Sequence, residues 1–439
     1  MILKLEDLSK EKLIDLVLNK ERRIEKLEKE KEKLERELKK YKNANTPSSA
    51  HRHIRGNTQG LKAKKGARRG APLRHKGSTL FLPYPEETIL ASAKKCPECG
   101  SKKLAPTGYI KKRKMIRLFI TRKITQYEQQ EARCENGHLI LPQHHDLPDQ
   151  GIYDKKIVSL VNYLKFKARV PHNIITDLMR NVFNIPMTDT TSLNIIKRTS
   201  ERLEPEYEQL GKEIKQQKLV GADETSLSVL GVNHWVWVFC NNILSFFKIH
   251  NKRGGDIVQQ TLGKNFQGSL ISDGWKTYTV YCHDNKIRHG RCWAHAKREV
   301  EFECKNKHAD LYKWYCDIYK SVKKARACKR ERKIKQMHNH LKADLERWIG
   351  AAKARTSLRK LATKLENGGS DWLTCIIYPE IPMDNNESER SIRPFVILEK
   401  IMGCLRSEGG KKVYEIMMSL ISTWQKQQKN QYYILQTLL

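Results

Sequence analysis

Leu219-Val220-Gly221-Ala222-Asp223-Glu224-Thr225 is the stretch whose reading decides the fold. A short apolar run, Leu219 to Ala222, leads into an acidic pair, the pattern of a buried strand delivering a carboxylate at its C-terminal end. Two more strands are expected over Trp235 to Cys240 and Ile243 to Ile249, parted by the turn pair Asn241-Asn242. Ser269-Leu270-Ile271-Ser272-Asp273 repeats the device, an apolar strand ending in Asp. Far downstream, Asp384-Asn385-Asn386-Glu387-Ser388-Glu389-Arg390 opens a helical pattern. Two strand-end aspartates and a helix-borne glutamate make a three-carboxylate set suited to two divalent metals and to in-line displacement at a phosphodiester. Asp is also common at strand-to-loop borders on conformational grounds alone, so neither aspartate is decisive by itself.

From residue 218 the order is strand, strand, strand, helix, strand, helix. A further strand near Ile287 to Cys292 then leads into a helix from about Ala294. That is the order of a ribonuclease-H-like fold, an antiparallel first trio followed by crossover helices to parallel strands. In such a sheet the first and fourth strands are neighbours, which brings Asp223 near Asp273. Asp256 is a rival acid, but it falls where a helix begins and reads better as an N-cap. Glu387 is the nearest alternative to Glu389. Residues 301–380 are helical and strongly basic, with Trp314, Ile318, Val322, Leu341, Leu345 and Trp348 marking apolar faces. They read as a helical insertion that splits the catalytic domain and lets Glu389 return to the sheet.

The chain has 439 residues, room for two or three domains, and only 39% are hydrophobic, so part of the length is expected to be solvated. Lys plus Arg number 84 against 49 acids, a formal net charge of +35 that favours a polyanionic partner, nucleic acid above all. Charge gives the partner class and not the activity. No apolar run is long enough to predict a membrane span, and the N-terminus carries no secretory signal. Of 11 cysteines, three fall in a metal-like cluster and the rest lack framework spacing, which suits a reducing cytoplasm.

Residues 1–43 predict one long helix. Val17, Ile24, Lys31 and Leu38 recur every seven, with Leu13, Lys20, Leu27, Leu34 and Tyr41 at the partnering position, a short coiled coil weakened by lysines in its seam. A solvated single helix laced with ion pairs is the other reading. Residues 44–80 read as a flexible basic linker. Its Lys62, Lys64, Lys65, Arg68, Arg69, Arg74 and Lys76, set among glycines, suit phosphate contacts without base selectivity.

Residues 81–148 carry Cys96-Pro97-Glu98-Cys99-Gly100 and Cys134-Glu135-Asn136-Gly137-His138. Cys96, Cys99, Cys134 and His138 make a ligand set for a closed structural Zn²⁺ site, with His144 or His145 as substitutes for the fourth ligand. A hairpin is expected over Met115 to Thr125. Residues 149–217 predict helices, with Asn184-Ile185-Pro186 as a break and Thr190 or Thr191 as the next cap. This helix, turn, helix pattern suits a DNA reader, and a plain bundle equally well.

Asp223-Glu224-Thr225, Asp273-Gly274-Trp275-Lys276-Thr277-Tyr278, Cys292-Trp293-Ala294-His295-Ala296-Lys297-Arg298 and Asn385-Asn386-Glu387-Ser388-Glu389-Arg390 occur in this order. With the N-terminal features they resemble the DDE transposases of the insertion-sequence-66 family over nearly the whole chain. The resemblance implies a DNA transposase that binds element ends and target duplex. Asp223, Asp273 and Glu389 would hold Mg²⁺ or Mn²⁺ for strand cleavage and strand transfer. It also implies a structural zinc, although the family normally has a second Cys-x-x-Cys where this chain has His138.

Asn385 and Asn386 are placed to hold the carboxylates or a backbone phosphate, or to cap the helix. Arg390 and Arg393, one turn apart, are placed to grip phosphates, and His295 and Arg298 to face the scissile phosphate, with His295 reading equally well as a buried structural histidine. A homodimer or higher oligomer is expected from the coiled coil. The expected architecture is therefore multidomain α/β. A ribonuclease-H-like core over 218–300 and 381–439 surrounds the 301–380 insertion, preceded by the coiled coil, the linker, the zinc module and the helical domain. A nuclease of the same fold without strand transfer, and a catalytically silent DNA-binding regulator, are the rival readings.

Overall fold

The computed structural model describes residues 84–148 and 150–439, together with residues 21, 23–25, 27, 28 and 30, which are helical and exposed. The rest of the expected coiled coil lies outside the described residues, and so does the basic linker with its seven named Lys and Arg positions. By internal contacts the chain forms two units, residues 55–124 and residues 1–54 with 125–439. No helix among the described residues is long and apolar enough to cross a membrane.

In the first unit, Gly100 N–H donates to Cys96 O (2.9 Å) and Cys96 N–H to Ser101 O (2.9 Å), a tight turn whose Gly100 has φ +72. Met115 to Thr125 alternates in sequence but forms no strand, and Ile116 and Leu118 stay exposed. The expected hairpin is absent there: an alternating run needs a partner strand, and the described residues of this unit supply none.

In the second unit, β1 (Ala132–Arg133) and β2 (Leu139–Ile140) form a small antiparallel pair around Cys134 to His138. Helices follow: α1 (Lys155–Asn162), α2 (His172–Asn181), α3 (Asp189–Arg202) and α4 (Glu204–Lys215). Asp154 caps α1, its side chain accepting from Ile157 N–H (3.0 Å). The cap of α3 is Thr188, which accepts from Thr191 N–H (3.2 Å), and not Thr190 or Thr191 as expected. Thr188 has the extended φ,ψ that a cap requires, whereas the two later threonines already lie inside the helix.

The sheet comprises β3 (Leu219–Val229), β4 (Val232–Cys240), β5 (Ser245–His250), β6 (Ser269–Ser272) and β7 (Arg288–Arg291), in the order β5-β4-β3-β6-β7. The first three strands are an antiparallel meander, and β6 and β7 are parallel to β3. Two helices make the parallel crossovers, α5 (Gly255–Leu262) and α6 (Lys276–Asp284). Asp256 lies in the first turn of α5, whose cap position is Gly254, so it is not the N-cap it was expected to be. Next come α7 (Trp293–Cys304), α8 (Ala309–Arg326), α9 (Glu331–Lys353), α10 (Arg359–Glu366) and α11 (Thr374–Ile377). The chain ends with α12 (Asn386–Met402), α13 (Glu408–Lys426) and α14 (Gln431–Leu438). The result is a mixed α/β architecture.

Alternation along β3 assigns its two faces. Asp223 pairs with Val238, and Val238 with Phe247, whose ring packs 4.9 Å from that of Phe395 on α12. Glu224 pairs with Trp237, which meets Tyr278 of α6 at 6.1 Å. So α12 covers the Asp223 face and α6 the Glu224 face.

One apolar core runs from α1 through the sheet to α14. A second, with Trp293, Tyr315, Trp348 and Trp372, belongs to the segment between β7 and α12. Helix α13 seals the sheet edge. Thr423, Ser419 and Glu415, spaced four apart on one helix face, accept the outward N–H groups of Ser245 (3.0 Å), Phe247 (2.9 Å) and Ile249.

Candidate active site

The parallel pairing of β3 with β6 matches Leu219 to Ser269, Val220 to Leu270 and Gly221 to Ile271. Carried two residues further, the same offset sets Asp223 against Asp273, which follows the last residue of β6. The two aspartates are nevertheless not alike. Asp273 does end its strand, and its Oδ1 accepts from Trp275 N–H (2.9 Å), a local turn that fixes the carboxylate. Asp223 does not end β3, contrary to expectation: antiparallel pairing with β4 carries the strand on to Val229. Asp223 thus lies where the parallel neighbour stops and the antiparallel neighbour continues, which leaves its carboxylate open on the β6 side.

Glu389 arrives from the first turn of α12, and the start of that helix is clamped to β3. Asn385 Nδ2 donates to the carbonyl of Ala222 (2.7 Å), the residue before Asp223, and Asn385 Oδ1 accepts from Ser388 Oγ (2.7 Å). Asn385 therefore neither holds a carboxylate nor caps with its side chain. The clamp requires glycine at 221, because a Cβ there would lie 2.4 Å from Ser388 Oγ and 3.0 Å from Asn385 Oδ1. The backbone of Asn385 in turn accepts from Glu389 N–H (3.1 Å).

From α7, Arg298 Nη2 donates to Glu389 Oε1 (2.7 Å), and His295 Nε2 lies 3.4 Å from the same oxygen. The group that both side chains meet is Glu389. Burial holds the Asp223 carboxyl well above the usual carboxylate range, and the charges of Glu224, Asp273 and Glu389 push it the same way. Burial and the nearby Arg298 cation hold the His295 imidazole below its ordinary value. Burial pushes the Cys292 thiol up to about 11, although its Sγ accepts from Asn385 N–H (3.1 Å).

Other expected residues are placed differently. Asn386 N–H donates to Asp384 Oδ1 (3.3 Å). Glu387, the alternative third acid, is committed elsewhere, to Arg390 Nη2 (2.8 Å) and to Lys426 Nζ of α13 (2.9 Å). Arg390 and Arg393 are exposed. Cys96 and Cys99 belong to the unit 55–124, where backbone N–H groups of Cys99 and Glu98 lower the Cys96 thiol from its usual value. In the other unit, Cys134 Sγ and His138 Nδ1 lie 3.5 Å apart. His144, His145 and Asp146 gather their donor atoms on the exposed surface of that unit.

Two features escaped the sequence reading. On the far face of β3, Glu224 Oε1 accepts two hydrogen bonds from Arg253, Nη2 at 2.6 Å and Nε at 3.1 Å, while Tyr278 OH donates to Oε2. Arg253 is itself held between the rings of Trp235 and Trp275, 4.4 Å from each centroid. Beneath Asp273, His289 bridges Ser272 Oγ (2.9 Å) and Asp371 Oδ2 (2.8 Å), and Ser272 Oγ also contacts the carbonyl of Asp273 (3.1 Å). This buried chain runs from the inserted segment to the residue before the strand-end aspartate. The Asp223-Glu224 doublet was the only sequence signal for the first feature, and nothing local marked the second.

A family model described as transposase, IS66 family, matches residues 150–413. No curated protein matches the chain.

Proposed function

The chain belongs to the transposase IS66 family, and from that premise we propose that it cuts the ends of a mobile element and joins them to target DNA, using Asp223, Asp273 and Glu389. The strand order β5-β4-β3-β6-β7, with the first and fourth strands parallel neighbours, supports a ribonuclease-H-like reading of the core. The observation that carries the catalytic reading is geometric: the β3–β6 register sets Asp223 against Asp273, and the Asn385–Ala222 clamp brings the start of α12, with Glu389, onto β3. Burial first, then the charges of Glu224, Asp273 and Glu389, hold the Asp223 carboxyl above its usual range. Hard oxygen donors that repel one another in this way fit a divalent cation. Mg²⁺ or Mn²⁺, held there, would activate the attacking hydroxyl and stabilise the leaving oxygen.

The chain's own residues set the stage for that chemistry. The Asn385–Ala222 clamp fixes where α12 begins, and hence where Glu389 stands against β3. The Asx turn of Asp273 and the Ser272–His289–Asp371 chain fix the end of β6. Arg298 donates to Glu389 Oε1 and holds that carboxylate in place. Double-stranded DNA is the partner we assign to the basic linker, with α2 and α3 as the candidate reader of element ends and Arg390 and Arg393 as phosphate contacts beside the site. Self-association through residues 1–43 completes the proposal.

The deciding experiment incubates the protein with labelled element-end duplex, plasmid target and Mg²⁺. Joined end-plus-target product that disappears with each of Asp223→Asn, Asp273→Asn and Glu389→Gln supports the proposal. Nicked ends without joined product would favour a nuclease. Binding without nicking by the unaltered protein would favour a regulator.

A further inference from the structure

Cys292 and His295 stand at the cap and third positions of α7, one turn apart on one face, and Glu389 of α12 closes on them. One donor atom from each of the three, a sulfur, a nitrogen and an oxygen, lies within 4.8 Å of the others. The His295 Nε2 to Glu389 Oε1 separation is 3.4 Å, longer than a charge-assisted hydrogen bond. It is close to the ~3.3 Å that two donors with ~2.0 Å bonds subtend at a tetrahedral centre. A second observation is independent of that spacing. Among the described residues His295 Nδ1 is buried without a hydrogen-bond partner, so no protein acceptor fixes the ring tautomer and Nε2 is free to serve as the ligand atom. Cys292 Sγ is oriented by accepting Asn385 N–H, so the sulfur lone pairs are presented at the start of α7.

We propose that Cys292, His295 and Glu389 form a binding site for a soft divalent cation, Zn²⁺ in particular, that withdraws Glu389 from the Asp223–Asp273 set and so inhibits strand cleavage. The donor chemistry selects the ion. A thiolate and an imidazole suit Zn²⁺, whereas Mg²⁺ takes oxygen ligands and would leave Cys292 unused. Binding releases the thiol proton to solvent and forms a Zn–S bond. Arg298, whose side chain is 42% exposed, gives up its hold on Glu389 by swinging outward. The binding site stands on its own geometry; its inhibitory consequence rests on the catalytic reading of Glu389.

The test uses the full-length protein and Co²⁺ as the probe, read by the sulfur-to-cobalt charge-transfer absorption. Cys96, Cys99 and Cys134 also offer thiols, so the measurement is the difference between wild type and Cys292→Ser in stoichiometry and band intensity. Wild type is expected to take up additional cobalt with sulfur character that Cys292→Ser lacks. Because Cys292 is buried, His295→Gln serves as the second variant. It is expected to keep the sulfur band but to bind that cobalt at least about tenfold more weakly, the least that even an outer-shell substitution costs. In cleavage assays at fixed Mg²⁺, the inhibitory Zn²⁺ concentration, taken relative to each variant's own Mg²⁺-only rate, should rise by a similar factor in both. Identical cobalt stoichiometry and spectra in wild type and Cys292→Ser, or unchanged cobalt affinity in His295→Gln, would overturn the site. Undiminished cleavage by Glu389→Gln would sink the catalytic reading and leave the cobalt result standing.

Discussion

The two faces of β3 carry adjacent carboxylates with opposite fates. Glu224 is buried, with its side chain 2% exposed, and both its oxygens are bonded, one by Arg253 and the other by Tyr278, which oppose the upward push of burial and of Asp273. Asp223 faces α12 and receives one hydrogen bond, from its neighbour's N–H (3.0 Å), together with the negative field of three acids. Among the described residues no Lys or Arg pairs with Asp223 as Arg253 pairs with Glu224, and acids perturbed in this way concentrate at working sites.

The largest test of that contrast is substitution on the uncompensated face. Asp223→Asn should lower cleavage by about a thousandfold or more, several kcal/mol of barrier, while duplex binding persists. Normal Mg²⁺-dependent cleavage by this variant would end the argument. Next in size is the clamp. Asn385→Ala strands the Ala222 carbonyl and should cost about 1–3 kcal/mol of stability, with cleavage falling about a hundredfold as Glu389 loses its register. Gly221→Ala should reproduce both effects through the close approach of Ser388. If Asn385→Ala cleaves like wild type, α12 is positioned by something other than the clamp.

On the compensated face the expectation is reversed. Glu224→Gln should reduce stability by about 1–3 kcal/mol, measured by denaturant midpoint, with cleavage at a permissive temperature nearly retained. A collapse of cleavage at full stability would place Glu224 among the metal ligands and erase the contrast.

The smallest effect concerns pH. The folded chain binds a proton at Asp223 more readily than the unfolded chain does. Metal-free protein should therefore lose stability as pH climbs from the ordinary value of 3.8 through the raised one. Added Mg²⁺ should flatten that loss, and Asp223→Asn should remove its share, making the metal-free variant more stable than wild type at neutral pH. A wild type whose melting temperature rises over that window without metal would contradict the assigned environment of Asp223.

The sequence carried the strand order and the two aspartates because both are local: apolar runs of strand length that reach an acid. It also carried the segments that bring His295, Arg298 and Glu389, though not what those side chains would touch. The rest was lost to distance. Arg253 reaches Glu224 across 29 positions and Asp371 reaches His289 across 82, and no periodicity encodes such meetings. Asn385 does take the N-cap position of α12, but its side chain does not cap; the partner of that side chain, the Ala222 carbonyl, lies 163 positions away. Thr188 was passed over for Thr190 and Thr191 because three nearby threonines are indistinguishable until φ and ψ are known.

The seal that α13 places on β5 has a consequence in time. Glu415 is made 166 residues after Ile249, the strand residue whose N–H it accepts. At about 5–20 residues per second that is roughly ten to thirty seconds of synthesis. Throughout that interval the meander can form with its outer strand unpaired, a row of free N–H groups open to any neighbouring chain. Closure waits for the last helices to leave the ribosome. A chain cut short before residue 408 should therefore assemble its sheet and then join it to others. Crowded polysomes, more than the finished protein, are where this molecule is most exposed to aggregation.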